Sequence, residues 1–411
     1  MNTRYLFRLL ALSAALSAAT ACIFPYEVDL AENGEWPFVV EGDIQIGGKT
    51  TVYLSYVRPF QSKDTNEYAL RPIQASGYIQ GEDGTRVESR TAYDPISSSY
   101  HSGSYYSASP GGVLEFDTSQ LSPHQRYRLH FDLLSPGSVT ESFESDWLEV
   151  CPAPTIDALS YSPHPEFEEL WIGLSMHCNG SHYFRWTFEE AWEYHSDLST
   201  FYEYKPERRE IGYFEGPGLY YCWKENNSPQ INIFSTANQT EDRFEELAFH
   251  TIALNDKRLQ QLYRITVHLE AMSENAYNYW NNLQQSSEGQ GSIFSPTPSE
   301  MASNVHCLTN SSIQVMGYLN AAELADAVMY YDNAEARFYK PDRPYETFEA
   351  EVGLDPLAMD AKYHAGFLPY SAVYGASPMP TAYIWVAAIC IDCRKQGGTK
   401  TRPKDWPSSH Y

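Results

Sequence analysis

The chain has 411 residues, with 53 Asp and Glu against 28 Lys and Arg, a formal charge of −25. That balance excludes a nucleic-acid reader, because phosphate binding draws on clustered Lys and Arg. Hydrophobic residues at 43%, with 25 Pro and 24 Gly, exclude a disordered chain and describe a body of about two or three folded domains.

At the N-terminus, Arg4 and Arg8 precede an apolar run from Leu9 to Ala19, followed by Ala19-Thr20-Ala21-Cys22. These are the parts of a secretory signal over residues 1–21, too short to remain as a membrane span. Ala-x-Ala fits ordinary cleavage; small residues directly before a cysteine fit a lipobox, in which Cys22 becomes the acylated first residue. Parity favours acylation. The seven cysteines are Cys22, Cys151, Cys178, Cys222, Cys307, Cys390 and Cys393, and acylating the first leaves an even set for an oxidising compartment. Acyl chains, at about 0.8 kcal/mol per buried CH₂, would hold residues 22–411 on a bilayer. Losing Arg4 and Arg8 takes the net charge from −25 to −27, so attachment would rest on those chains and not on anionic lipid.

Short strands rich in β-branched and aromatic residues follow, at Phe38–Ile44 and Thr51–Tyr56. Ser76–Gln80 and Thr85–Tyr93 flank Gly81-Glu-Asp-Gly84 as a hairpin. Val113–Phe116 and Tyr127–Leu133 alternate with period two, and Val139–Val150 is similar. Cys151-Pro-Ala-Pro154 predicts the boundary between domains at 22–150 and 151–411. Beyond it, strands are predicted at Glu169–Met176 and Tyr263–Leu269. Tyr183–Tyr194 alternates imperfectly and stays open between strand and helix. Ser273 caps a predicted helix near 273–287, the one helix the pattern supports. Asn320–Asp326 carries a capping-box pattern, yet Val328–Tyr331 favours a strand, so that segment also stays open. Ala382–Cys390 reads as a buried strand. The expectation is a mainly β chain of two β-sandwich-like domains, immunoglobulin or fibronectin-III in type, the second with a short helix.

Several landmarks recur in one order: Cys22-Ile-Phe-Pro25, Phe38-Val-Val-Glu-Gly42, Tyr183-x-x-Trp186, Glu189-Glu-Ala-Trp192 and Cys222-Trp223. Ala276-Tyr-x-x-Trp280, Gly291-Ser-Ile-Phe294, Gly317-Tyr318, Cys390-Ile-Asp-Cys393, Gly397-Gly398 and Pro403-x-x-Trp406 follow. In this the chain resembles the Bacteroidota outer-membrane lipoproteins grouped as domain of unknown function 4249. The resemblance implies a surface-exposed, lipid-anchored protein, often encoded beside a TonB-dependent transporter. It implies no established reaction and brings no catalytic residues.

Chemical signals are few. Cys390-x-x-Cys393 reads as structural disulfide chemistry, either local or with another cysteine, since no helix signal surrounds it to lower a thiol pKa. Cys151 with Cys178 and Cys222 with Cys307 complete the expected set. His177, Cys178 and His182 have metal-like spacing, but a polar turn around Asn179-Gly180 explains them as well, so neither a metal nor a cofactor is expected. Glu168-Glu169, Glu189-Glu190 and Glu245-Glu246 evoke glycoside hydrolysis, yet strand neighbours point to opposite faces and cannot form one catalytic couple. GxSxG, P-loop, HExxH and GxGxxG patterns are absent from the sequence. Tyr100, Tyr105, Tyr106, Tyr221 and Trp223 are the candidate binding aromatics, whereas Trp186, Trp192, Trp280 and Trp385 sit in periodic segments and suit core or interface. The sequence therefore favours a non-enzymatic binding or accessory subunit that takes a small molecule, glycan or peptide. The alternatives are a carboxylate-based surface hydrolase of glycans or peptides and a structural or adhesion component of the envelope.

Overall fold

The computed structural model describes residues 37–56, 73–92, 111–135, 138–214, 218–228, 230–288, 303–341 and 350–407. Cys22, Tyr100, Tyr105 and Tyr106 lie outside them. The architecture is mainly β, built as two sandwiches and a smaller mixed unit.

In the first sandwich, Lys49–Tyr56 lies between Phe38–Glu41 and Gly112–Asp117, and Tyr127–Ser135 lies between Gln74–Gly81 and Ser138–Ser145. Period-two alternation turns Val52, Leu54, Leu114 and Phe116 from one sheet toward Ile79, Leu129, Phe131 and Phe143 of the other, forming one core. The rings of Phe131 and Phe143 stack at 4.8 Å, and Phe38 stacks on Phe143 at 4.9 Å. The Gly81–Gly84 hairpin forms, with Ile79 opposite Val87. Past Glu88 the chain crosses, and Arg90–Ala92 joins the other sheet.

The second sandwich faces the sheet Thr155–Pro163, Glu169–His177 and Arg243–Ala253 against a larger one. At the centre of the larger sheet are Tyr183–His195, Leu262–Ala271 and Ala321–Asp332. Both open segments are thus strands. Alternation in Tyr183–His195 fails because its second half is covered on both sides: Glu190, Ala191, Glu193 and Tyr194 are all buried. The C-terminal tail packs there, with Tyr194 donating to the Cys393 carbonyl at 2.7 Å and Trp406 donating to Glu193 at 3.4 Å.

The sandwiches interlock. Val305–Cys307 and Val315–Met316 return to edge the first sandwich, beside Phe143–Ser145 and Phe38–Val39, while Ile44–Ile46 runs parallel to Ala321–Glu323 of the second. The helix predicted from Ser273 forms as α1, Glu274–Glu288, with the Ser273 hydroxyl accepting from the Ala276 amide at 3.2 Å. A second helix, α2, Pro356–His364, was not expected. Asp355 caps it through the amides of Leu357 and Ala358, and Pro356 opens it. It packs with Ala350–Gly353, Phe367–Tyr374, Pro380–Ala387 and the hairpin Tyr202–Lys205/Glu210–Tyr213 around Tyr204, Met359, Tyr383 and Trp385. No helix among the described residues is long and apolar enough to cross a membrane.

Candidate functional site

Strand Tyr183–His195 changes partners along one edge: Glu189–His195 pairs with Tyr221–Asn227, and Tyr183–Trp186 with Asn232–Ser235. At the break, Ser228 bridges the Phe188 backbone, donating from its amide at 2.8 Å and accepting at its hydroxyl at 3.2 Å. A cavity of about 230 Å³ opens beside this break, lined by Phe188, Glu190, Asn226, Gln230, Asn232, Phe249, His250 and Arg258. Phe188 and Glu190 come from strand Tyr183–His195, Asn226, Gln230 and Asn232 from the broken edge, Phe249 and His250 from the facing strand Arg243–Ala253, and Arg258 from the turn Lys257–Leu259.

Glu190 is 2% exposed. Its carboxylate accepts from the Tyr263 hydroxyl at 2.7 Å, Arg258 Nη1 at 2.9 Å and Asn226 Nδ2 at 3.2 Å, and it lies 3.1 Å from His250 Nε2. Burial pushes this carboxyl up, but the His250 hydrogen bond, the Arg258 charge and the Tyr263 hydroxyl outweigh it and hold the pKa down to about 2. Tyr263 is driven the other way, well above the usual phenol value, by burial and by the Glu190 charge. Arg258 also forks onto Asp256 at 2.9 and 3.1 Å. The cavity floor is therefore a closed set of mutually committed groups with a permanently ionised carboxylate. Such a floor can orient a ligand and is poorly suited to giving up a proton near neutral pH.

A second buried cluster sits where the sandwiches interlock. Arg185 pairs with Asp43 and with Glu270, its guanidinium 4.6 Å from the Trp280 ring centroid on α1. Asp43 also accepts from the Asn320 amide at 2.9 Å. Two carboxylates share one cation, and burial pushes Glu270 up to about 7 against the pull of Arg185.

The disulfide expectations are corrected. One bridge exists among the described residues, Cys222–Cys393, with Cα atoms 5.7 Å apart. The local Cys390–Cys393 alternative does not form, because Ala388–Ile391 is a helical turn that sinks Cys390 against Leu219, Val386 and Ile391 while Cys393 faces strand Tyr221–Asn227 and bonds Cys222, a cysteine outside the motif. Cys151, Cys178, Cys307 and Cys390 are free. Cys307 edges the first sandwich, far in topology from Cys222, and Cys178 packs between the sheets of the second, 4.0 Å from Thr236 Oγ1. Burial pushes the Cys151 thiol up to about 11, with Glu270, Glu149 and Asp43 adding to it. The even set left by acylating Cys22 therefore does not pair off completely.

Of the predicted binding aromatics, Trp223 is buried beside Ala191, Leu262 and Trp406, so it is core and not a ligand surface. Tyr221 is half-buried, its ring 4.8 Å from Tyr220. Trp385 is fully buried, as its periodic segment implies, and Trp186 and Trp192 are half-buried against the second core. His177 pairs with Asp157 at 2.9 Å, and no group of three or more metal-ligating side chains occurs among the described residues. Glu189 is exposed and Glu190 buried, on opposite faces. His250, Arg258 and Tyr263 carry no local motif, and sequence reading missed them.

No curated protein matches the chain. Solved structures that match include the chicken interferon gamma receptor alpha chain, at 9% identity over 56% of this chain and 86% of that one, TM-score 0.17. The FN1–FN3 domains of chicken CNTN1 match at 12% identity over 57% of this chain, which spans 60% of that fragment, TM-score 0.17. At those scores neither likeness supports an argument. The family model described as "Domain of unknown function (DUF4249)" matches residues 23–326, directly after Cys22 and across both sandwiches, so the chain belongs to that family.

Proposed function

We propose that the protein is a lipid-anchored, non-enzymatic binding or accessory subunit of the outer membrane, exposed at the cell surface and working beside a TonB-dependent transporter. The observation that carries the binding role is the Glu190 cavity: its ionisable walls are already paired with one another, and its carboxylate stays charged, an arrangement suited to recognition. The anchor rests on Arg4, Arg8, the apolar run and Ala19-Thr20-Ala21-Cys22; the transporter and the Bacteroidota setting rest on the family resemblance.

Two measurements test the proposal. Cys22→Ala should move the protein from the membrane pellet to the soluble fraction; a variant that still pellets after a carbonate wash overturns the anchor. Native protein recovered in mild detergent should bring a large β-barrel with it, and recovery of the lipoprotein alone overturns the accessory role.

A further inference from the structure

We propose that the cavity beside Glu190 receives a single neutral, polyhydroxylated ring, the chemistry of one sugar unit. This deepens the binding-subunit reading and rests on it. Four observations point there. First, the two fixed charges among the lining residues, Glu190 and Arg258, are paired with each other at 2.9 Å, so the lining presents no unpaired charge to select an ion. Second, the rim carries amides. Asn232 donates to the carbonyls of Trp186 and Gln230, which leaves its carbonyl oxygen for a ligand, and Gln230 is exposed. Hydroxyl groups both donate and accept, so the Asn232 acceptor together with the Gln230 amide, which offers both functions, suits them as it suits no simple ion. Third, Phe188 and Phe249 supply apolar surface for the C–H face of a ring, with Phe188 fixed by the His250 ring at 4.6 Å. Fourth, about 230 Å³ is below the range of roughly 300–1,000 Å³ for drug-sized sites and holds the equivalent of about eight waters, enough for one ring and its hydroxyls. The cavity lies at an open sheet edge, so a longer glycan can extend from it into solvent.

Isothermal titration of the full mature protein with D-glucose, D-galactose, D-mannose and N-acetylglucosamine, each to about 10 mM, tests this, with glucuronate and glucosamine as charged counterparts. At least one neutral sugar should bind saturably and at least about tenfold more tightly than both charged probes. Asn232→Ala should weaken that binding about tenfold, and Gln230→Ala, at an exposed position that cannot threaten folding, should weaken it measurably. No neutral sugar bound, equal or better binding of a charged probe, or unchanged affinity in both variants overturns the assignment. Transporter co-purification, scored on the same preparation, separates this failure from failure of the subunit reading.

Discussion

Glu190 is a charge almost wholly shielded from solvent, and its neighbours decide whether that stabilises or destabilises the fold. A pKa moved from 4.5 to about 2 corresponds to about 3 kcal/mol favouring the folded state when the group is ionised. Because the folded value is depressed, this contribution is present above about 4.5 and is lost as pH falls toward 2. Glu190→Gln should therefore flatten the acid limb of a stability–pH curve below pH 4.5, measured by denaturant melts; an unchanged limb contradicts the network. Arg258→Met removes the cation and leaves the carboxylate uncompensated, so it should cost about 3–5 kcal/mol, against about 1–3 kcal/mol for Tyr263→Phe. Glu270 titrates in the opposite sense. Its folded value is raised to about 7, so the folded state holds a proton that the unfolded state releases, and stability falls as pH rises from about 4.5 to 7. Glu270→Gln should remove that slope, and a slope unaffected by the substitution assigns it elsewhere.

Elements form where a local signal and a covering surface agree. Asp355 accepts from the Leu357 amide at 3.4 Å and the Ala358 amide at 3.1 Å, and Asp355→Ala should cost about 1 kcal/mol through α2, read as a shift in the denaturation midpoint. Asp355-Pro356 is a start signal of the same kind as Ser273, one that sequence reading missed. Period-two alternation made the first sandwich legible, because each strand has one buried and one wet face. The same logic placed Glu189 and Glu190 on opposite sides. It could not name the partners of Glu190, since His250 and Arg258 lie 60 and 68 residues away on other elements. Tyr183–His195 defeated it because the tail covers what would otherwise be the wet face. Gly317 shows close packing setting the residue type: at φ +115° a Cβ would collide with the Val40 carbonyl, so only glycine lets Val315–Met316 reach the first sandwich.

The whole molecule is tied by a covalent link that crosses its architecture. Cys222 belongs to the edge strand of the larger sheet and Cys393 to the turn beyond the mixed unit, 171 residues later. Between them the chain completes the second sandwich, forms α1, returns to edge the first sandwich, and builds most of the mixed unit. The tail after Cys393 is then held by further contacts: the Trp223 and Thr399 backbones exchange hydrogen bonds of 2.9 Å, and Arg264 reaches the Lys404 carbonyl at 2.8 Å. A loop of this length constrains the unfolded chain strongly, and the loop-closure relation gives about 5 kcal/mol, with about 2–5 kcal/mol typical of native bridges. Cys393→Ser should therefore lower the unfolding free energy by that amount while leaving the first sandwich's core residues in place, since none of them touches the bridge. Non-reducing peptide mapping should recover the Cys222 and Cys393 peptides joined, and denaturation without reductant should expose alkylatable thiols at Cys151, Cys178, Cys307 and Cys390. A peptide closed internally between Cys390 and Cys393 would instead leave Cys222 unbridged and the tail held to the second sandwich by hydrogen bonds and packing alone.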